Sequence, residues 1–250
     1  MIQKVQRGVD TVLGFVRRQK RNYRVGVARS AANSFLLGLT NQYNGIYATG
    51  LGADSVQLGS LSSIGSAVSS LIALPVGWLV DRRGVKFFFL LAILLSAGGA
   101  LLYGAAYDWR FLIIAAILSS VSMRLIGTGS SVICADSVNN PDRFTAQNLC
   151  GTLSSVASIV SPLIAAYLIT LSGGVNVEGI RPLYYIRFVG YGLIFLLVVT
   201  QLREPREADL GRTDDGLRFV DGFRQLFLKK PTLRRWIAIS VLTSMSMPMF

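Results

Sequence analysis

The side chains that could do chemistry in this chain are few and unusually placed. Its 250 residues include no histidine, which removes the commonest general base and metal ligand. No nucleophile–base pair, metal-ligand cluster or phosphate-cradling loop is visible, so neither an enzyme nor a bound cofactor is expected. What remains are polar and charged groups set within long apolar runs. Arg124 stands near the middle of 111–135, and Ser120, Gly127 and Ser131 share its helical face. Ser30, Asn33, Leu37, Thr40, Asn41 and Asn44 recur at helical spacing within 25–49. An arginine in mid-span costs at least ~2.5 kcal/mol unless it faces a polar interior or finds a partner. Groups of this kind recognise solutes and ions.

The elements that must position them are helices in a bilayer. Six apolar runs fall at about 25–49, 56–80, 87–106, 111–135, 146–171 and 183–202, and about 20 such residues cross the hydrocarbon core as a helix. The chain is 52% hydrophobic and only 15% charged, against about 25% charged in a soluble domain. Its net charge of +12 sits in short clusters between the runs, so membrane topology explains it better than a nucleic-acid partner. The basic loops alternate with weakly charged ones, which predicts a cytoplasmic amino terminus in a multi-pass protein of the cell membrane. Residues 1–24 read as a basic cytoplasmic arm whose Val9, Val12, Leu13 and Val16 allow an amphipathic helix on anionic lipid. Cys134 and Cys150 lie near cytoplasmic helix ends, where a disulfide is not expected.

Each span carries its own signal. The polar stripe of the first reads as a wall of a substrate cavity, or alternatively as interhelical hydrogen bonding. Arg29 is expected to snorkel to the boundary. The second span has a small-residue face that includes Gly59, Ser62, Ser66, Ser69 and Ala73, and Pro75 is expected to bend its inner end. The third is apolar apart from Ser96-Ala97-Gly98-Gly99, and is expected to face lipid on most sides. Gln147, Gly151, Ser154, Ser158 and Ser161 give the fifth a second small-polar face, and Tyr184, Tyr185 and Arg187 are placed near the outer interface of the sixth. A polar stretch at 204–235 reads as a linker with an amphipathic helix, and 236–250 as the start of a seventh span.

The junction Gly77, Leu79, Asp81, Arg82, Gly84 and Lys86 resembles the signature loop between helices two and three of the major facilitator superfamily of secondary transporters; Val85 stands where the family has a first basic residue. The resemblance implies an all-α membrane protein: a six-helix amino-terminal bundle of the transporter fold with the beginning of a seventh helix. It also implies nested three-helix repeats, although no repeat is visible in the residues. Carried over, Asp136 would pair with Arg82 or Lys86, and Pro141 and Arg143 would open span five. Gly77, Asp81, Arg82, Gly84, Lys86, Asp136 and Arg143 would then form a cytoplasmic gate, with Asn33, Asn41, Asn44, Arg124, Ser120 and Ser131 lining the substrate and coupling cavity. The function implied is secondary active transport of a small solute by alternating access, coupled to protons or another ion. A non-transporting sensor or assembly subunit on the same bundle is the competing reading. The implied partners are the solute, the coupling ion, the bilayer and a carboxyl-terminal half, so the chain reads as a fragment.

Overall fold

The computed structural model describes residues 21–83, 85–136 and 142–201. The linker and seventh-span expectations at 204–250, and most of the amino-terminal arm, lie outside the described residues. Among those residues the regular elements are helices: α1 (Arg21–Asn41), α2 (Asn44–Gly50), α3 (Ser55–Arg83), α4 (Val85–Ala105), α5 (Trp109–Asp136), α6 (Arg143–Leu171) and α7 (Val177–Gln201). Stretches of α3 to α7 are long and apolar enough to cross a membrane. α1 is too polar to qualify by composition, and Ser30, Asn33 and Thr40 on it are hydrogen-bonded to neighbouring helices instead.

The first apolar run is divided. Gln42 and Tyr43 form a turn between α1 and α2, with Tyr43 N–H donating to the Thr40 carbonyl at 3.0 Å. Asn41 and Asn44 flank the turn, and asparagine side chains compete with the backbone for helical hydrogen bonds. The second difference lies at the signature junction. α3 continues through Pro75 to Arg83, so Gly77 to Arg83 are helical and not a loop; Gly84 lies outside the described residues.

At the opposite end of the bundle the connections are short and tightly capped. α2 closes with Gly52 at φ +92°, whose neighbour Ala53 donates its N–H to the Ala48 carbonyl at 3.0 Å. α6 closes the same way through Gly173 at φ +104°, with Gly174 N–H reaching the Ile169 carbonyl at 2.9 Å. In both cases a glycine takes the left-handed turn that a side chain would strain. α7 then starts on Asn176, whose Oδ1 accepts the Gly179 N–H at 2.6 Å.

The packing contains a repeat. α4 lies against α5 and α7, α1 against α6 and α7, and α3 against α5. Exchanging α1, α3 and α4 for α5, α6 and α7 returns the same set of contacts. Small residues make the close approaches. A Cβ on Gly99 of α4 would stand 2.9 Å from Ser119 Oγ of α5, and one on Gly190 of α7 would stand 2.5 Å from Leu36 Cδ2 of α1. The α1–α6 approach is made by Gly38 against Ser161, and that of α3–α5 by Gly65 against Ser120.

Span three departs from the expectation of a lipid-facing helix. The segment Lys86–Gly104 is 56% buried, the most enclosed of the candidate spans, whereas Ser55–Ala73 of α3 is 6% buried. Phe88, Phe89, Ala92, Ile93, Ser96, Ala100 and Tyr103 are buried, leaving Phe87, Leu94 and Leu101 outward. Uniform apolarity carries no facing signal; the glycines of its centre are what admit α5.

Candidate solute pathway

The polar residues singled out along the chain fall into two groups. The first lies where α3 meets α5. Arg124 is exposed on α5, and its Nε donates to Ser69 Oγ of α3 at 2.5 Å. One helical turn before it, Ser120 packs against Gly65, where an added Cβ would come within 2.8 Å of the hydroxyl. α3 then presents Ser62, Ser63, Ser66 and Ser70 outward. Ser70 turns its hydroxyl back to the Ser66 carbonyl at 2.9 Å, the bond a helical serine makes within its own helix. α6 presents Gln147, Gly151, Ser155 and Ser158 outward in the same manner. Hydroxyl- and amide-bearing faces within spans are disfavoured against lipid and suit water or another helix. Ser131 is placed on α5 by its helix alone.

The second group is the stripe of α1, which is engaged by its neighbours. Ser30 shares a hydrogen bond with Ser154 of α6 at 2.9 Å. Asn33 Oδ1 accepts from Tyr191 at 3.4 Å, and Asn44 Oδ1 from Tyr184 at 2.7 Å, both on α7. Thr40 Oγ1, buried, accepts from Arg187 Nη1 at 2.8 Å. Asn41, at the end of α1, is exposed. Asn33 and Asn44 thus meet α7, while Arg124 and Ser120 meet α3.

Two arginines stand elsewhere than their sequence positions suggest. Arg187 is not at the outer interface but inside the bundle, 5% exposed, with its guanidinium 5.5 Å from the Tyr191 ring centroid. Among the described residues its Nε has no hydrogen-bond partner. Arg29 does not snorkel; it is buried, with its guanidinium 4.3 Å above the Phe89 ring, a cation–π contact that offsets part of its desolvation. Around Arg187 a tyrosine cluster closes the seam. Tyr184 stacks on Tyr103 with centroids 5.0 Å apart and lies 4.9 Å from Tyr47, whose hydroxyl donates to the Tyr103 carbonyl at 2.7 Å. The signal for this group was present in α7: Ile180, Tyr184, Arg187, Tyr191, Ile194 and Val198 are spaced along one face, and all are buried. Polar residues on that stripe had to point inward.

At the end where α1 begins, Lys86 opens α4 and its Nζ donates to the Val199 carbonyl of α7 at 3.5 Å. Gly77, Asp81 and Arg82 lie on the last turns of α3, Asp136 ends α5 and Arg143 begins α6, so these residues are placed by their helices alone.

A comparison with curated proteins finds no match. Residues 26–250 match the family model described as Major Facilitator Superfamily, which covers all the described spans and the stretch that follows them. With that match over most of its length, and apolar helices packed as above, the chain belongs to the Major Facilitator Superfamily of multi-pass membrane transporters.

Proposed function

We propose that this chain carries a small solute across the cell membrane by secondary active transport, with alternating access and coupling to protons or another ion. The observation that carries the proposal is Arg124, an exposed cation on the mid-portion of an apolar span, tied to Ser69 and flanked by an α3 face of outward serines. In this reading the exposed polar faces of α3, α5 and α6 border a water-filled path against a second transporter half. Arg124 then meets the solute or its counter-charge, and Asn41 stands at the mouth of the path. Asn33 and Asn44 act at one remove, by holding α7 against the α1–α2 turn. The amino terminus is cytoplasmic because the basic clusters lie at that end, and Gly77, Asp81, Arg82, Gly84, Lys86, Asp136 and Arg143 form the latch that closes it.

Liposomes containing the protein and an internal pH dye test the proposal. Imposing gradients from a panel of carboxylates, sugars and amines should produce proton movement with at least one solute. Arg124→Gln should abolish it, and Asp81→Asn should slow it at unchanged protein level. Proton movement indifferent to both substitutions would contradict this assignment of roles.

A further inference from the structure

Where α1 begins and α7 ends, the two helices leave a cavity of about 420 Å³, within the size range of ligand sites. Its lining among the described residues is Arg21, Arg24, Val25 and Ala28 of α1 with Leu197 and Gln201 of α7. The four α1 residues follow the spacing of a single helical face, so the arrangement is graded along the helix. Arg21 and Arg24 stand at the helix start, which marks the rim, and Val25, Ala28 and Leu197 make the apolar part of the lining.

Both arginines are exposed, and among the described residues neither guanidinium makes a hydrogen bond or an ion pair. Lys86 adds a third positive charge near this end of α7 through its bond to the Val199 carbonyl. The walls are held in place from the side: the Tyr23 hydroxyl donates to the Ala146 carbonyl of α6 at 2.8 Å, and Tyr23 is buried. The cavity therefore sits on an anchored helix turn at the boundary of the bilayer.

We infer that this cavity binds one anionic phospholipid of the adjoining leaflet, with the phosphate between Arg21 and Arg24 and the first methylenes of an acyl chain along Val25, Ala28 and Leu197. The charge matches a phosphodiester, for which arginine offers paired donors. The apolar wall distinguishes a lipid from a free anion, since inorganic phosphate would gain nothing from Val25 and Leu197. Gln201 is in reach of the rim as a donor or acceptor for a polar headgroup. The inference needs only that the chain spans a membrane, and holds whatever solute is carried.

Native mass spectrometry of the protein released from detergent tests it, with phosphatidylglycerol, phosphatidylcholine and inorganic phosphate as probes. One phosphatidylglycerol should be retained per chain in preference to phosphatidylcholine. Arg21→Gln with Arg24→Gln should weaken that adduct about twenty-fivefold, from about fivefold for each arginine at a membrane surface. Ala28→Trp, which fills the cavity without changing charge, should remove the same adduct, whereas Arg110→Gln on α5 should leave it. Circular dichroism confirms that each variant is folded. Equal retention of the two lipids, or an adduct that survives both Ala28→Trp and the double substitution, would overturn the inference. Displacement of the lipid by millimolar phosphate alone would also overturn it, by making the site one for a free anion.

Discussion

The seam between α4 and α5 and the seam between α7 and α1 occupy corresponding places in the two halves of the repeat, yet they are filled by opposite chemistry. In the first, buried Ser96 and Ser122 share a short hydrogen bond, Ser122 also reaches the Ala92 carbonyl at 2.7 Å, and Gly99 admits Ser119. In the second, Arg187 donates to Thr40 at 2.8 Å, and Gly190 admits Leu36. In each the polar residue stands one turn ahead of the glycine. One seam is small and neutral; the other encloses a cation. Duplicated geometry thus places no demand on duplicated residues, only on a small residue where the backbones approach and a satisfied group one turn away.

The charged seam is the costlier one to hold. A buried guanidinium with one side-chain acceptor and an unbonded Nε is under-satisfied, and its desolvation is not offset by any ion pair among the described residues. Such a charge is held at a cost to stability. The serine seam carries no such cost.

Substitutions can separate the two seams. The largest effect is expected from Thr40→Val, which removes the acceptor while the cation stays buried; it should lower stability by about 1.5–3 kcal/mol in thermal unfolding in detergent. Adding Arg187→Met should restore most of that loss, because replacing a buried charge with an apolar side chain of similar volume is often neutral or stabilising. A double variant no more stable than Thr40→Val would mean that the guanidinium is a structural bond rather than a burden.

Next in size are the glycines. Gly190→Ala should cost about 1–2 kcal/mol, since Leu36 is buried and several of its side-chain atoms must shift. Gly99→Ala should be near neutral, because the Ser119 hydroxyl can rotate away and alanine gains up to about 1 kcal/mol over glycine in a helix. Equal losses at the two positions would remove the distinction. A loss smaller than that of Gly190→Ala is expected from Ser122→Ala, about 0.6 kcal/mol for a hydrogen bond between membrane helices, read as a slight fall in the unfolding midpoint.

Much of the bundle was legible before the structure. The long apolar runs and the basic clusters between them are signals that hydrophobicity and charge write directly into composition, and the residues at the signature junction named the family. The helices follow the runs closely, as with Phe111–Ala135 inside α5. Facing was less legible. α4 is apolar all round, so nothing in it distinguished lipid from protein, and Gly99 against Ser119 decided the matter. Arg187 was read by its distance along the span, whereas the period linking Ile180, Tyr184, Tyr191 and Ile194 had already turned it inward. The α1 stripe was correctly polar but ambiguous in purpose, because an asparagine facing water and one bonded to a tyrosine of α7 look the same in sequence. The repeat left no trace in the residues, as small side chains of several kinds satisfy the same close approach.

The most direct test concerns the exposed polar face where α3 meets α5, which should border water while exposed apolar faces border lipid. In a background of Cys134→Ser and Cys150→Ser, single cysteines at 66 and 124 can be compared with cysteines at 114 and 163, where Ile114 and Leu163 are exposed and apolar. Their reaction with a membrane-impermeant thiol reagent is then followed in intact membranes. Positions 66 and 124 should react about tenfold faster or more, since a thiol in lipid loses its reactive thiolate to desolvation. Equal protection at all four positions would place Arg124 against lipid or a sealed partner and contradict the proposed path.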